Sequence, residues 1–77
     1  MHTTEQARQS LLAEVGRILS EADVRLDDRF IELGGTSFLA LQLTFEFSER
    51  TGWSIDLAQL LALSLGEVEL RLERPTA

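Results

Sequence analysis

Two glycines followed by two hydroxyl residues form the stretch of this sequence where a reactive side chain could be presented at a helix end. Gly34 and Gly35 can adopt backbone angles that other residues avoid, so the chain can turn sharply there. Thr36 and Ser37 are both helix-capping types, because their hydroxyl oxygens accept hydrogen bonds from the free N–H groups of a first turn. A strongly apolar segment follows at once, which predicts an exposed serine hydroxyl at a helix N-terminus. On turn chemistry alone, an ordinary capped turn without chemistry is the more common explanation.

The composition narrows the chemistry that this serine could perform. The 77 residues include no cysteine and one histidine, His2, so neither a thiolate metal site nor a histidine cluster is expected. No histidine or acid is placed beside Ser37 to build a hydrolase triad, which makes a serine hydrolase a distant alternative. We interpret the nearby carboxylates of Asp27, Asp28 and Glu32 as solvated loop charges rather than as a metal or acid–base site.

Charge and hydropathy exclude further classes of partner. The net charge of −6 argues against a nucleic-acid partner, whose phosphates favour a basic surface. No apolar run approaches the roughly 20 residues of a membrane span, and no signal-peptide pattern opens the chain. We therefore expect a small cytoplasmic protein, monomeric, built as a single domain over residues 1–77, with no metal, nucleic-acid or membrane partner.

The periodicity of apolar residues predicts an all-α protein. Capping boxes at Thr3/Gln6 and at Ser64/Glu67 predict two helix starts, and Pro75 predicts the end of the last helix. No alternating strand pattern appears. The prediction is a four-helix bundle with a long loop between the first two helices and a short third helix, and Phe30 is expected to pack under the glycine turn. The predicted helices span approximately residues 4–19, 37–51, 55–62 and 65–74.

The second predicted helix is apolar on two sides. One side carries its predicted core residues, which are Leu39, Ala40, Leu43 and Phe47. A second stripe, roughly opposite, consists of Phe38, Leu41 and Phe45. This stripe either packs against the loop and the third helix or remains free for a partner, and a chain this small has few elements to cover it. Large exposed apolar patches are unusual on monomers, which keeps the packing alternative open.

The string around the two glycines resembles the attachment site of the peptidyl and acyl carrier proteins of thiotemplate biosynthesis. The matching pattern is Asp28-x-Phe30-x-x-Leu33-Gly34-Gly35-x-Ser37-x-x-Ala40-x-x-Leu43. It is most similar to the peptidyl branch, in which Leu-Gly-Gly-x-Ser is typical, and the resemblance extends from about Leu11 to Leu72. It implies the four-helix fold of the acyl-carrier-protein type. It also implies that the Ser37 hydroxyl receives 4′-phosphopantetheine from coenzyme A through a phosphopantetheinyl transferase, beside Gly34, Gly35 and Thr36.

The resemblance implies a non-catalytic peptidyl carrier, and we expect it to be free-standing because the sequence starts with Met1 and closes soon after the last predicted helix. Such a carrier holds an aminoacyl or acyl intermediate as a thioester on the arm and presents it to enzymes of non-ribosomal peptide or polyketide-type natural-product biosynthesis, including antibiotics. Its expected partners are the transferase, an adenylating ligase or acyltransferase, and downstream tailoring or condensing enzymes, which would contact Phe38, Leu41 and Phe45. No acidic residue follows Ser37 for two turns, which favours the peptidyl branch. The alternative is a small helical interaction module, never modified, that docks through the same three residues.

Overall fold

The computed structural model describes residues 3–73, which form a mostly helical domain with a small antiparallel sheet. Three helices occur in this part of the chain: α1 (Thr4–Leu19), α2 (Ser37–Thr51) and α3 (Leu57–Ala62). Strands β1 (Trp53–Ile55) and β2 (Leu70–Leu72) pair with Trp53 opposite Leu72 and Ile55 opposite Leu70. None of the helices among residues 3–73 is long and apolar enough to cross a membrane.

The first two helices have the bounds that the sequence predicts, because their end signals are local. The capping box of α1 forms as expected: Gln6 N donates to Thr3 Oγ1 at 3.1 Å and Thr3 N donates to Gln6 Oε1 at 3.0 Å. The α2 helix ends at Gly52, whose positive φ of 79° is the left-handed conformation typical of a helix C-terminus.

The prediction of an all-α four-helix bundle is wrong for the last third of the described chain. The third helix begins at Leu57 rather than at residue 55, because the Asp56 carboxylate caps it and the preceding residues form β1. The fourth helix is absent from residues 65–73, where a turn leads into β2. Residue 74, the predicted end of that helix, lies outside the described residues.

Long-range contacts explain why a strand replaces the predicted fourth helix. Ser64 and Glu67 do interact, but their hydrogen bonds close a turn and no helix follows. The guanidinium of Arg8 donates to the carbonyl oxygens of Leu65 and Val68, and the Gln59 side chain accepts from the N–H of Glu69 at 2.7 Å. Backbone groups that a helix would satisfy internally are therefore satisfied by other elements of the fold.

One hydrophobic core holds these elements together. The predicted inner face of α2 is confirmed, since Ala40, Leu43 and Phe47 are completely buried and Leu39 is half-buried against the core. The other completely buried side chains come from α1, the loop, α3 and the segment before β2, and they are Leu11, Val15, Phe30, Leu60, Leu65 and Val68.

A buried carboxylate fixes α1 against α2. Glu14 is only 8% exposed, and it accepts from Arg17 on its own helix at 2.8 Å and from Arg50 on α2 at 2.6 Å. Arg17 also reaches Glu46 on α2 at 2.7 Å. Since Glu14 pairs with the later residue of α2 and Arg17 with the earlier one, the two helices run antiparallel.

The loop before α2 contains a turn with the hydrogen bonds of a helix C-terminus. The N–H of Gly34 donates to the carbonyl of Ile31 at 3.1 Å, and the N–H of Gly35 donates to the carbonyl of Phe30 at 3.0 Å. Gly34 has a φ of 103°, so these bonds form a Schellman motif with glycine at its left-handed position. Phe30 is completely buried, and a Cβ added to Gly35 would lie 2.3 Å from its ring. The predicted packing of Phe30 under the glycine turn is confirmed.

We expect Leu43→Ala to lower the free energy of unfolding by about 2–5 kcal/mol, because it removes a completely buried side chain. Leu41→Ala, on the same helix but 57% exposed, is the matched control and is expected to change stability far less. Urea denaturation of both variants measures the difference. Equal losses for the two would mean that the core face of α2 is wrongly assigned.

We expect Gly35→Ala to destabilise the protein by about 1–3 kcal/mol, because the new methyl group overlaps the ring of Phe30. Combining it with Phe30→Leu should cost less than the sum of the two single changes, since the smaller side chain relieves the overlap. Gly34→Ala is the control: its Cβ meets nothing within 4 Å, so its cost is backbone strain alone, about 1–2 kcal/mol. Strict additivity of Gly35→Ala with Phe30→Leu would contradict the proposed contact.

Candidate functional site

Ser37 is the first residue of α2 and is exposed to solvent. Thr36, rather than Ser37, caps the helix: Thr36 Oγ1 accepts from the N–H of Leu39 at 3.1 Å, and the Thr36 carbonyl accepts from the N–H of Ala40 at 2.8 Å. The Thr36 side chain therefore has a structural task, and the Ser37 hydroxyl stands outside the cap. Of these two exposed hydroxyl groups, that of Thr36 forms the cap.

The start of α2 is suited to a negative group attached to Ser37. The first N–H groups of a helix have no intrahelical acceptor, and the helix dipole stabilises a nearby anion by about 0.3–1 kcal/mol. The first turn of α2 carries no acidic residue that would oppose such an anion. A phosphodiester on Ser37 Oγ thus fits the residues present.

The loop carboxylates belong to no cluster of potential metal ligands in the described part of the chain. Residues 3–73 contain no group of three or more potential metal ligands. Asp28, which we interpreted as a solvated charge, is half-buried and accepts from the N–H of Arg25 at 2.8 Å. Its task in the loop is therefore structural, while Asp27 and Glu32 are exposed as expected.

The second apolar stripe of α2 is exposed. Phe38 is 74% exposed, Leu41 57% and Phe45 67%, so the alternative in which the loop and α3 cover these side chains is wrong. The stripe begins one residue after Ser37 and follows the solvent side of the helix. Ser37 and a row of exposed apolar side chains therefore share one surface of the molecule.

Along α2, this surface carries no charge near Ser37. No charged residue occurs in α2 from Ser37 to Phe45, or in α3. The next charge along α2 is that of Glu46, which accepts from Gln42 at 3.1 Å and from Arg17 at 2.7 Å. The hydrogen bond from Gln42 is the largest cause that lowers the pKa of Glu46, and the hydrogen bond from Arg17 lowers it further. The Glu46 charge is thus directed to α1 rather than to the stripe.

Ser37 is exposed and does not line the best-defined groove of the molecule. A groove of about 490 Å³ does exist between α1 and the loop, lined by residues that include Leu12, Gly16 and Val24. No residue of α2 lines that groove, so it does not adjoin Ser37. A group attached to Ser37 would accordingly extend into solvent, where another protein can reach it.

Sequence reasoning missed one residue beside the site. Arg29 donates from Nη1 to the carbonyl oxygen of Ala62, the last residue of α3, at 2.8 Å. The two residues are far apart in the sequence, and no local pattern signals such a contact.

Comparison with known proteins supplies the family. The family model of the phosphopantetheine attachment site matches residues 9–69. No curated protein and no solved structure matches the chain. The matched residues include the turn, Ser37, the exposed stripe and all three helices in whole or in part. Since they make up most of the chain, the protein belongs to the phosphopantetheine attachment site family and is a carrier domain with a covalently attached 4′-phosphopantetheine.

Proposed function

We propose that the protein is a peptidyl carrier whose arm is attached to Ser37, and that it serves non-ribosomal peptide or polyketide-type biosynthesis in the cytoplasm. The observation that carries this proposal is the exposed Ser37 hydroxyl at the first position of α2, left outside the cap that Thr36 forms. The peptidyl branch is supported by the Leu33-Gly34-Gly35-x-Ser37 pattern and by the uncharged first turns of α2.

The modification requires a partner enzyme. The Ser37 oxygen attacks the phosphorus of the pantetheine phosphate of coenzyme A, and a base of the transferase takes the hydroxyl proton. The new bond joins Ser37 Oγ to phosphorus, and the pyrophosphate bond breaks to release adenosine 3′,5′-bisphosphate. The resulting phosphodiester carries one negative charge, which changes the net charge of the chain from −6 to −7. The free N–H groups at the start of α2 stabilise that charge.

The attached arm supplies a thiol, which holds an aminoacyl or acyl group as a thioester. This chain has no cysteine, so it offers no competing thiol of its own. The residues of the chain present the arm to other enzymes. The Schellman turn and the Thr36 cap hold Ser37 at the surface. The exposed stripe of Phe38, Leu41 and Phe45 is available to the enzymes that act on the arm.

The proposed partners are a phosphopantetheinyl transferase, an adenylating ligase or acyltransferase, and downstream tailoring or condensing enzymes. Each of these enzymes must bring its active site to Ser37 or to the attached arm. The stripe lies beside Ser37, on the surface that such an enzyme approaches. A few residues near the centre of an interface, often aromatic, usually carry most of its binding energy. No unpaired charge lies next to the stripe on α2 before Glu49. The affinity of docking should therefore come mainly from apolar contacts and should change little with ionic strength.

A second candidate function is an interaction module that docks through the stripe and is never modified at Ser37. The observation that favours it is the exposure of three large apolar side chains on one helix, which alone would suit a binding surface. Intact mass after incubation with coenzyme A and a broad-specificity transferase separates the two functions. A gain of one phosphopantetheine unit supports the carrier, and no gain where a control carrier is modified supports the module.

We expect Ser37→Ala to abolish that gain in mass while leaving the thermal midpoint nearly unchanged, because Thr36 and not Ser37 caps α2. Thr36→Ala is the matched control. It should still be modified but should lose about 0.5–2 kcal/mol of stability with the cap. Persistent modification of the Ser37→Ala variant would place the attachment elsewhere, with Thr36 as the next candidate.

We expect Leu41→Ala and Phe45→Ala to slow modification or loading roughly 5- to 30-fold, equivalent to about 1–2 kcal/mol of binding energy, with little loss of stability. The measurements are kcat/KM with the transferase or a cognate ligase, and the thermal midpoint. Gln9→Ala, an exposed change on α1 remote from the stripe, is the control and should behave like the parent. Parent rates in both stripe variants would contradict the docking proposal.

A further inference from the structure

The turn that presents Ser37 starts at Arg29, a position that the attachment-site pattern leaves unspecified. The carbonyl of Arg29 accepts the N–H of Leu33 at 3.0 Å, which opens the turn. Its backbone forms an isolated antiparallel bridge with Ser64, and its guanidinium donates to the carbonyl of Ala62 at 2.8 Å. Arg29 therefore connects the base of the turn to the end of α3.

The C-terminal end of α3 is electrostatically suited to a positively charged side chain. The last carbonyl groups of a helix lack intrahelical donors and carry partial negative charge. The last turn of α3 contains no basic residue. The guanidinium of Arg29 supplies from the loop the positive charge and the donor that α3 lacks. This contact joins the end of α3 directly to the start of the turn, in addition to the backbone bonds between the loop and the residues after α3.

A continuous set of contacts leads from Arg29 to Ser37. The next residue, Phe30, is completely buried, and its carbonyl accepts the N–H of Gly35 at 3.0 Å while its ring fills the space beside Gly35. Gly35 is followed by Thr36, whose side chain caps α2. Each contact restricts the next, so a shift at the base of the turn changes where the Ser37 hydroxyl stands.

We propose that Arg29 is a positioning residue for the modification of Ser37, acting by anchoring the presenting turn to the C-terminal end of α3. This inference rests on the proposed attachment at Ser37. Group transfer requires the attacking oxygen to be held in a near-attack geometry, and a displacement of about 1 Å can cost about 100-fold in rate. Arg29 touches the turn and α3 rather than the reacting atoms, so its effect is on geometry.

The fold can survive the loss of this side chain. Two neighbouring backbone hydrogen bonds join the loop to the same segment independently of it: Leu65 N donates to the Asp28 carbonyl at 2.8 Å, and Gly66 N donates to the Leu26 carbonyl at 2.7 Å. Phe30 also remains in the core. Replacement of Arg29 should therefore loosen the turn without unfolding the domain.

Arg25 is a matched control in the same loop. Its guanidinium is exposed and pairs with Asp23 at 3.0 Å, two residues away, so this ion pair does not anchor the presenting turn to α3. Arg25→Ala removes the same charge as Arg29→Ala from the same loop. Arg29→Lys retains a cationic donor and tests whether the contact with α3, rather than the guanidinium shape, is what matters.

The experiment compares kcat and KM for modification of the parent and of Arg29→Ala, Arg29→Lys and Arg25→Ala, with coenzyme A and a broad-specificity transferase. The assays are run at a temperature where circular dichroism shows every variant folded. For Arg29→Ala we expect kcat to fall by about tenfold, a fraction of the cost of a full 1 Å displacement, with KM nearly unchanged. Arg29→Lys should recover part of the loss, and Arg25→Ala should match the parent.

Amide hydrogen exchange supplies a readout that does not depend on modification. The hydrogen-bonded amides of Leu33, Gly34 and Gly35 should exchange several-fold faster in Arg29→Ala than in the parent or in Arg25→Ala. Unchanged exchange and parent-like kcat would overturn the proposal. A rise in KM at constant kcat would also overturn it, because Arg29 would then bind the transferase directly. If exchange rises but the parent itself is never modified, the carrier function fails while the anchoring role of Arg29 stands.

Discussion

The contact between the Phe30 ring and Gly35 is the constraint on which the functional end of this protein depends. A buried aromatic side chain occupies the space that any Cβ at position 35 would need, and the same two residues share a backbone hydrogen bond. Gly34 supplies the left-handed angle that closes the turn. Together these features stop the loop and start α2 within a few residues, which leaves Ser37 at the surface with its hydroxyl free.

The α2 helix has one buried and one exposed apolar face. Ala40, Leu43 and Phe47 are completely buried, whereas Phe38, Leu41 and Phe45 are mostly exposed, so the side chains that pack in the core and those left available to a partner differ within one helix. The buried Glu14, bound by Arg17 and Arg50, holds the far end of α2 to α1. Separating the half-exposed arginines from Glu14 would leave a buried carboxylate uncompensated, so these ion pairs oppose displacement of α2 from α1.

The C-terminal segment contributes to the site from a distance. Its Leu65 and Val68 side chains pack in the core, and the carbonyl groups of the same two residues accept hydrogen bonds from the Arg8 guanidinium. Its strand β2 pairs with β1. It also forms the surface to which Leu26, Asp28 and Arg29 of the loop are hydrogen-bonded or bridged. The loop that presents Ser37 is thus built on residues that follow α3, and the stability of that segment bears on the position of the hydroxyl.

The sequence by itself determined the features whose causes are local. The bounds of α1 and α2 follow from capping residues within a few positions of each helix end, and the buried face of α2 follows from its periodicity. The attachment-site pattern likewise identified the family that the comparison confirms. The tertiary structure decided whether residues 65–72 form a helix or a turn followed by β2, because their backbone partners, Arg8 among them, come from other elements. It also decided which hydroxyl caps α2 and whether the stripe is covered. The contact between Arg29 and the end of α3 is likewise tertiary. Each of these features depends on contacts or burial that periodicity and capping rules do not predict.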